Sequence, residues 1–132
     1  MSQAMKRSFS FVLLLVFALA MAVPAFASTY TRDYQFNYEG EYHEHSSGYI
    51  DGPAVIDDSA NTVTLKLDGN YFPEIKIGAN SYLGSYNAST GQTTFVIPGT
   101  DAANIDISLH VRVTILGIPV HDTWYDLEIA WL

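Results

Sequence analysis

The chain closes on "VHDTWYDLEIAWL", Val120 to Leu132, and within it His121 and Tyr125 stand four residues apart. An imidazole and a phenol can both ligate a metal or exchange a proton. In an extended segment alternate residues share a face, so the two project together with Thr123, Leu127, Ile129 and Trp131. The last three are core types. The face therefore runs from an apolar interior into a His/Tyr pair at one end, its members about 13 Å apart along the backbone at roughly 3.3 Å per residue. A ligand at that mouth is the expectation.

A second group is "HEH", in which His43 and His45 share a face if the segment is extended, as histidine metal pairs often do. Zinc or copper asks for three or four ligands, and His121 is the candidate third. The alternative is two solvated loop histidines. His110, beside Arg112 on the outward side of an alternating run, reads as a surface residue. The sequence has no cysteine, which removes thiol chemistry, disulfides and cysteine zinc sites. It has no Gly-rich phosphate loop and no G-x-S-x-G elbow, and an acid/base carboxylate pair is defined by a separation in space that spacing in sequence does not supply. The chain is read as a non-enzyme.

These groups must be held by something, and the first residues are not part of it. Lys6 and Arg7 precede an apolar run from Phe9 to Val23, Pro24 breaks it, and small residues follow at Ala25 and Ala27. This is the pattern of a secretory signal peptide, residues 1–27, too short to span a membrane at the roughly 20 residues a helix needs. Cleavage after Ala27 leaves one domain, residues 28–132, expected to be secreted or at the cell surface without a covalent anchor. Four basic residues then face fourteen acidic ones, a balance of −10. Such a surface repels nucleic acid and anionic membranes, so neither is a partner and no membrane insertion follows cleavage.

Beyond the signal, period-two alternation dominates. "TVTLKL" sets Val63, Leu65 and Leu67 on one side, "EIKI" does the same with Ile75 and Ile77, and "IDISLHVRVTILGI" turns Ile105, Ile107, Leu109, Val111, Val113 and Ile115 inward. Turn clusters such as "DDSAN", "DGN", "NASTG" and "PGTD" punctuate about eight strands. The expected fold is all-β, an immunoglobulin-like antiparallel β-sandwich. "YEGEYHEHSSGYIDGP", Tyr38 to Pro53, resists the alternation and reads as a polar loop with one helical turn over an end of the sandwich.

The order of these pieces resembles the NEAT (near-transporter) domain, the haem-binding immunoglobulin-like module of Gram-positive iron acquisition. The resemblance spans Tyr34 to Trp131: a polar lip leading into "YIDGPAVI", then "NTVTLKL", "NYFPEIKI", "TTFVIPG" and the hairpin "VRVTILGIPVHDTWYDLEI". The family's closing Y-D-x-x-Y-D-V is matched by His121-Asp122-Thr123-Trp124-Tyr125-Asp126-Leu127, with His in place of the first tyrosine and Leu in place of valine. The resemblance implies non-covalent haem (iron protoporphyrin IX) on His121, with Tyr125 as the supporting hydrogen-bond partner. It implies His45 on the other side of the iron, Ser46 and Ser47 in the lip, and Phe72, Leu116 and Ile118 as apolar walls. It further implies a haemophore-like carrier that hands haem to a surface receptor or another NEAT domain. Two other readings of the residues stand beside it: a copper or zinc site on His43, His45 and His121, and a non-catalytic adhesion sandwich.

Overall fold

Alternating apolar residues need a partner surface for the face they bury, and two sheets supply it to one another. A computed structural model describes residues 29–132; the expected signal peptide lies outside the described residues. One sheet is built from β1 (Thr29–Arg32), β4 (Ala54–Asp57), β5 (Thr62–Asp68), β9 (Gln92–Pro98) and β8 (Ser85–Asn87), in the order β1-β4-β5-β9-β8. The other orders β3 (Glu41–Tyr42), β2 (Tyr34–Tyr38), β11 (Ile118–Trp131), β10 (Ile105–Ile115), β6 (Glu74–Ile77) and β7 (Asn80–Leu83). Every strand pairing is antiparallel. The sandwich is as expected; the strands exceed the expected eight because edge pieces such as β3 and β8, of two and three residues, are too short to show alternation.

The inner faces match the alternation. Val63, Leu65 and Leu67 of β5 and Phe95 and Ile97 of β9 meet Phe36 of β2, Ile75 of β6, Leu109 of β10 and Ile129 of β11 in one buried cluster. The loop read from Tyr38 to Pro53 holds more structure than expected. Glu39 and Gly40, both at positive φ (52° and 82°), make the two-residue turn that pairs β3 with β2. One short helix follows, α1 (Glu44–Ser47), the single helical turn foreseen there.

The segment leaving α1 is tied to β5. Ile50 bridges to Leu67, the Asp51 amide donates to the Lys66 carbonyl at 2.9 Å, and the Asp68 amide donates to the Tyr49 carbonyl at 2.8 Å. Two carboxyls meet at this tie. The Asp51 carboxylate accepts from the Gln92 amide and also from Asp68, which hold it below the usual carboxylate range. Asp68 is held above that range by its hydrogen bond to Asp51, with desolvation and the Asp51 charge acting in the same sense.

The signs oppose each other. A raised folded value means that the Asp68 contribution is present while the group is protonated and is lost as pH rises through that value. The lowered Asp51 value means a contribution present above the ordinary range and lost as pH falls through its folded value. Asp68→Asn keeps a donor toward Asp51 without a second charge. It is expected to raise the urea midpoint at neutral pH and to abolish the gain that the parent shows on mild acidification. A midpoint that falls at neutral pH, with the acid gain intact, would show that the two carboxyls are not coupled through this bond.

Candidate functional site

The site rests on a ribbon that outruns its sheet. β10 pairs β11 along its whole length, but β6 meets β10 only at Ser108 and Leu109, and β2 meets β11 only from Glu128 to Trp131. Beyond these pairings the Arg112 amide still donates to the Tyr71 carbonyl at 2.8 Å, and past it the hairpin stands proud of the sheet. Its tip is a two-residue turn at Leu116 and Gly117, with φ of 53° and 77°. A register shift between Val113 and Thr114 leaves Val120 without an opposite residue, since Thr114 pairs Pro119 and Val113 pairs His121. Such a bulge re-aims the strand. After it, His121 and Tyr125 share a face with Val113, Val111 and Leu109, as the period-two reading requires.

The lip is built opposite. The His43 amide donates to the Phe36 carbonyl at 2.9 Å, and the Ser47 hydroxyl donates to that same carbonyl at 3.2 Å while accepting from the Phe36 amide at 3.0 Å. Three bonds thus staple α1 to the backbone of β2. His43 caps the helix, its Nδ1 accepting from the Ser46 amide at 3.3 Å and lying 2.6 Å from the Ser46 hydroxyl.

Between lip and hairpin lies a slot of about 230 Å³. His43, His45, Ser46 and Tyr49 line it from the lip side. Leu109, Val111 and Val113 line it from β10, with His121, Tyr125 and Leu127 from β11 and Phe72 from the segment before β6. The walls are mostly apolar, and the polar groups are imidazoles, phenols and the Ser46 hydroxyl. His121 Nε2 is 3.0 Å from the Tyr125 hydroxyl, the two rings near parallel at 20°, and its Nδ1 has no hydrogen-bond partner among the described residues. His45 is flanked edge-on by His43 at 6.5 Å and by Tyr49 at 5.8 Å. Tyr49 in turn packs edge-on against Phe72 at 5.3 Å.

Of the residues singled out from the sequence, the structure brings His45, Ser46, Phe72, His121 and Tyr125 to one slot, with His43 beside them. Ser47 is not there; its hydroxyl serves the Phe36 backbone. Leu116 and Ile118 do not line the slot either, being 97% and 66% exposed at the hairpin tip. Tyr49, Leu109, Val111, Val113 and Leu127 also line the slot without a motif in the sequence to mark them for it. The two valines were legible as inward residues of β10 but read as core, because nothing in the sequence says where the facing sheet ends. Among the described residues no three His, Asp or Glu side chains are placed to hold a metal ion, so His43, His45 and His121 share a slot without forming a chelating cluster.

His110 is a correction. It is 8% exposed rather than a surface residue, because Trp124, its cross-strand partner, stacks on the imidazole at 4.5 Å and 15°. Its Nε2 bonds the Asp122 carboxylate. That bond, followed by the charge of Arg112, keeps Asp122 below the usual carboxylate range. Lys76 closes the stack with its ammonium 4.5 Å from the centre of the Trp124 ring. This cluster braces the hairpin from the face opposite the slot. A shallower hollow of about 340 Å³ on that face is edged by the carboxylates of Glu39, Asp106, Asp126 and Glu128 against the single ammonium of Lys76, a lining unsuited to an apolar ligand.

No model of a known protein family matches the sequence, and no curated protein matches it. Solved structures do. The NEAT5 domain of IsdX2, a B. anthracis hemophore, in complex with heme, is 12% identical with a TM-score of 0.63, covering 78% of this chain and 93% of that one. The Q29T mutant of IsdX2-NEAT5 in complex with heme is 13% identical with a TM-score of 0.62, covering 78% and 92%. At that identity the likeness speaks to architecture: the immunoglobulin-like sandwich of this chain is the NEAT fold.

Proposed function

We propose that the chain is an exported, non-enzymatic haem-binding module that captures haem non-covalently and passes it on for iron acquisition, as a haemophore does. The observation that carries the reading is the slot in which His121 and Tyr125 of the hairpin face His45 of the lip across apolar walls. Both structural neighbours hold heme, and one of them is a hemophore. The residues fit such a ligand: a porphyrin presents a flat apolar ring to Phe72, Leu109 and Val111, and an iron that takes imidazole or phenolate. At about 230 Å³ the slot is smaller than the roughly 300–1,000 Å³ of sites that enclose a small molecule. A large flat ring is therefore held by one edge. Leu116 and Ile118 extend the apolar wall toward the part left outside, and Ser46 stands at the polar rim with Ser47 behind it.

His121 is the ligand in this reading. With Nε2 engaged by Tyr125, Nδ1 is the ring nitrogen left to coordinate, and Nε2–H donation to the phenol oxygen orients the ring as outer-shell partners do. Bound haem supplies a redox-active iron, and imidazole accepts it in both oxidation states where phenolate favours the ferric one. His45, on the lip, would supply the second imidazole within reach of that iron. The recipient is a surface haem receptor or another NEAT domain; fourteen acidic residues disfavour nucleic acid. No helix among the described residues is long and apolar enough to cross a membrane.

The test is a titration of the domain with hemin, in which a saturable Soret band at one haem per chain is expected. Hemin that stays free while copper or zinc binds stoichiometrically would replace haem with a metal-ion site. Binding of neither would leave an adhesion or protein-binding sandwich.

A further inference from the structure

We propose that His43 is a positioning residue of this site and not one of its ligands: through Nδ1 it caps α1 and thereby sets the place of His45. His45 makes no side-chain hydrogen bond among the described residues, so its ring is oriented by the edge-on contacts of His43 and Tyr49 and by the pitch of the helix that carries it. That pitch is fixed at the first turn. His43 has extended backbone angles (φ −106°, ψ 102°), as a capping residue does, and its Nδ1 accepts from the Ser46 amide at 3.3 Å and lies 2.6 Å from the Ser46 hydroxyl, which also reaches the His43 carbonyl at 3.4 Å. Receiving the amide proton requires a bare Nδ1, so in the capping tautomer the ring N–H is at Nε2. Neither nitrogen in that tautomer offers a free lone pair to a metal. Histidine is an unusual cap, and here it does what Asn or Asp does elsewhere while its ring leans on Tyr38 at 5.7 Å.

This inference rests on the haem reading for one of its two measurements only. The first is native-state hydrogen exchange of the ligand-free protein. His43→Ala is expected to speed exchange at the Ser46 amide about five-fold, the equivalent of a typical lost cap, while core amides such as Leu65 and Ile129 keep their rates. His43→Asn restores the slow rate. The second is the spectrum with hemin. The parent is expected to show six-coordinate, low-spin haem; the low-spin fraction falls in His43→Ala and returns in His43→Asn, which has a capping oxygen but no imidazole. Unchanged exchange in His43→Ala overturns the proposal. So does a low-spin signal lost in His43→Asn with its exchange restored, since that would make His43 a ligand. If the parent never gives low-spin haem, the place of His45 in the haem reading fails, and the exchange measurement still decides the cap.

Discussion

Replacing His121 by alanine is expected to weaken hemin binding by roughly 100-fold or more, because even the loss of an outer-shell partner costs about 10–100-fold and this change removes the coordinate bond itself. Tyr125→Phe removes only the hydrogen bond at 3.0 Å, worth about 0.5–1.5 kcal/mol net, or roughly 2- to 12-fold. The ranking is the informative quantity. Tyr125→Phe keeps its ring whereas His121→Ala loses one, so His121→Phe, which fills the same wall of the slot without a coordinating nitrogen, separates the two causes and is expected to bind hemin as weakly as His121→Ala. A second signature accompanies it. With an imidazole as ligand, haem stays bound after dithionite reduction and gives sharp ferrous low-spin bands, which vanish in His45→Ala if that residue holds the sixth position. The opposite ranking would invert the roles. Tyr125→Phe abolishing binding with His121→Ala mild would make Tyr125 the ligand, and His121 Nε2 the acceptor of its phenolic proton.

The geometry behind this expectation is partly legible in the sequence. Alternation placed His121 and Tyr125 on one face and the inward residues of β10 beneath them, because side-chain direction along a strand is a local property. The sandwich followed from the same rule at Val63, Leu65 and Leu67, all fully buried. What failed were statements that depend on where neighbouring strands stop. Ile115 continues the inward series of β10 yet is 58% exposed, since the hairpin has left the sheet by that point. His110 was misplaced for a related reason: its burial depends on Trp124, fourteen residues away in sequence, arriving opposite it through a hairpin register that the bulge near Val113 fixes. Ser47 illustrates a third case. Serine hydroxyls near an expected anionic group look like ligand contacts, but a backbone carbonyl and amide of β2 lay closer and took the bonds.

Phe36 separates stability from the site, and Phe36→Ala is the variant with the largest expected effect on folding. The ring is fully buried on β2, opposite Ile129 of β11 and edge-on to Tyr34 at 5.7 Å. Truncating such a phenylalanine costs about 3–5 kcal/mol, from lost transfer energy plus the cavity left behind. That is a large share of the roughly 5–15 kcal/mol that holds a domain together, so a deep fall in the urea midpoint is expected. The lip, however, is stapled to the Phe36 backbone, through its carbonyl to the His43 amide and the Ser47 hydroxyl and through its own amide to Ser47. Alanine keeps all three bonds. Below its unfolding transition the variant should therefore give the parent hemin spectrum with the same stoichiometry, a loss of stability without a loss of site. A variant that still unfolds cooperatively but no longer yields that spectrum would mean that the lip is held by side-chain packing in the core, and that its three backbone bonds do not by themselves place His45 over the slot.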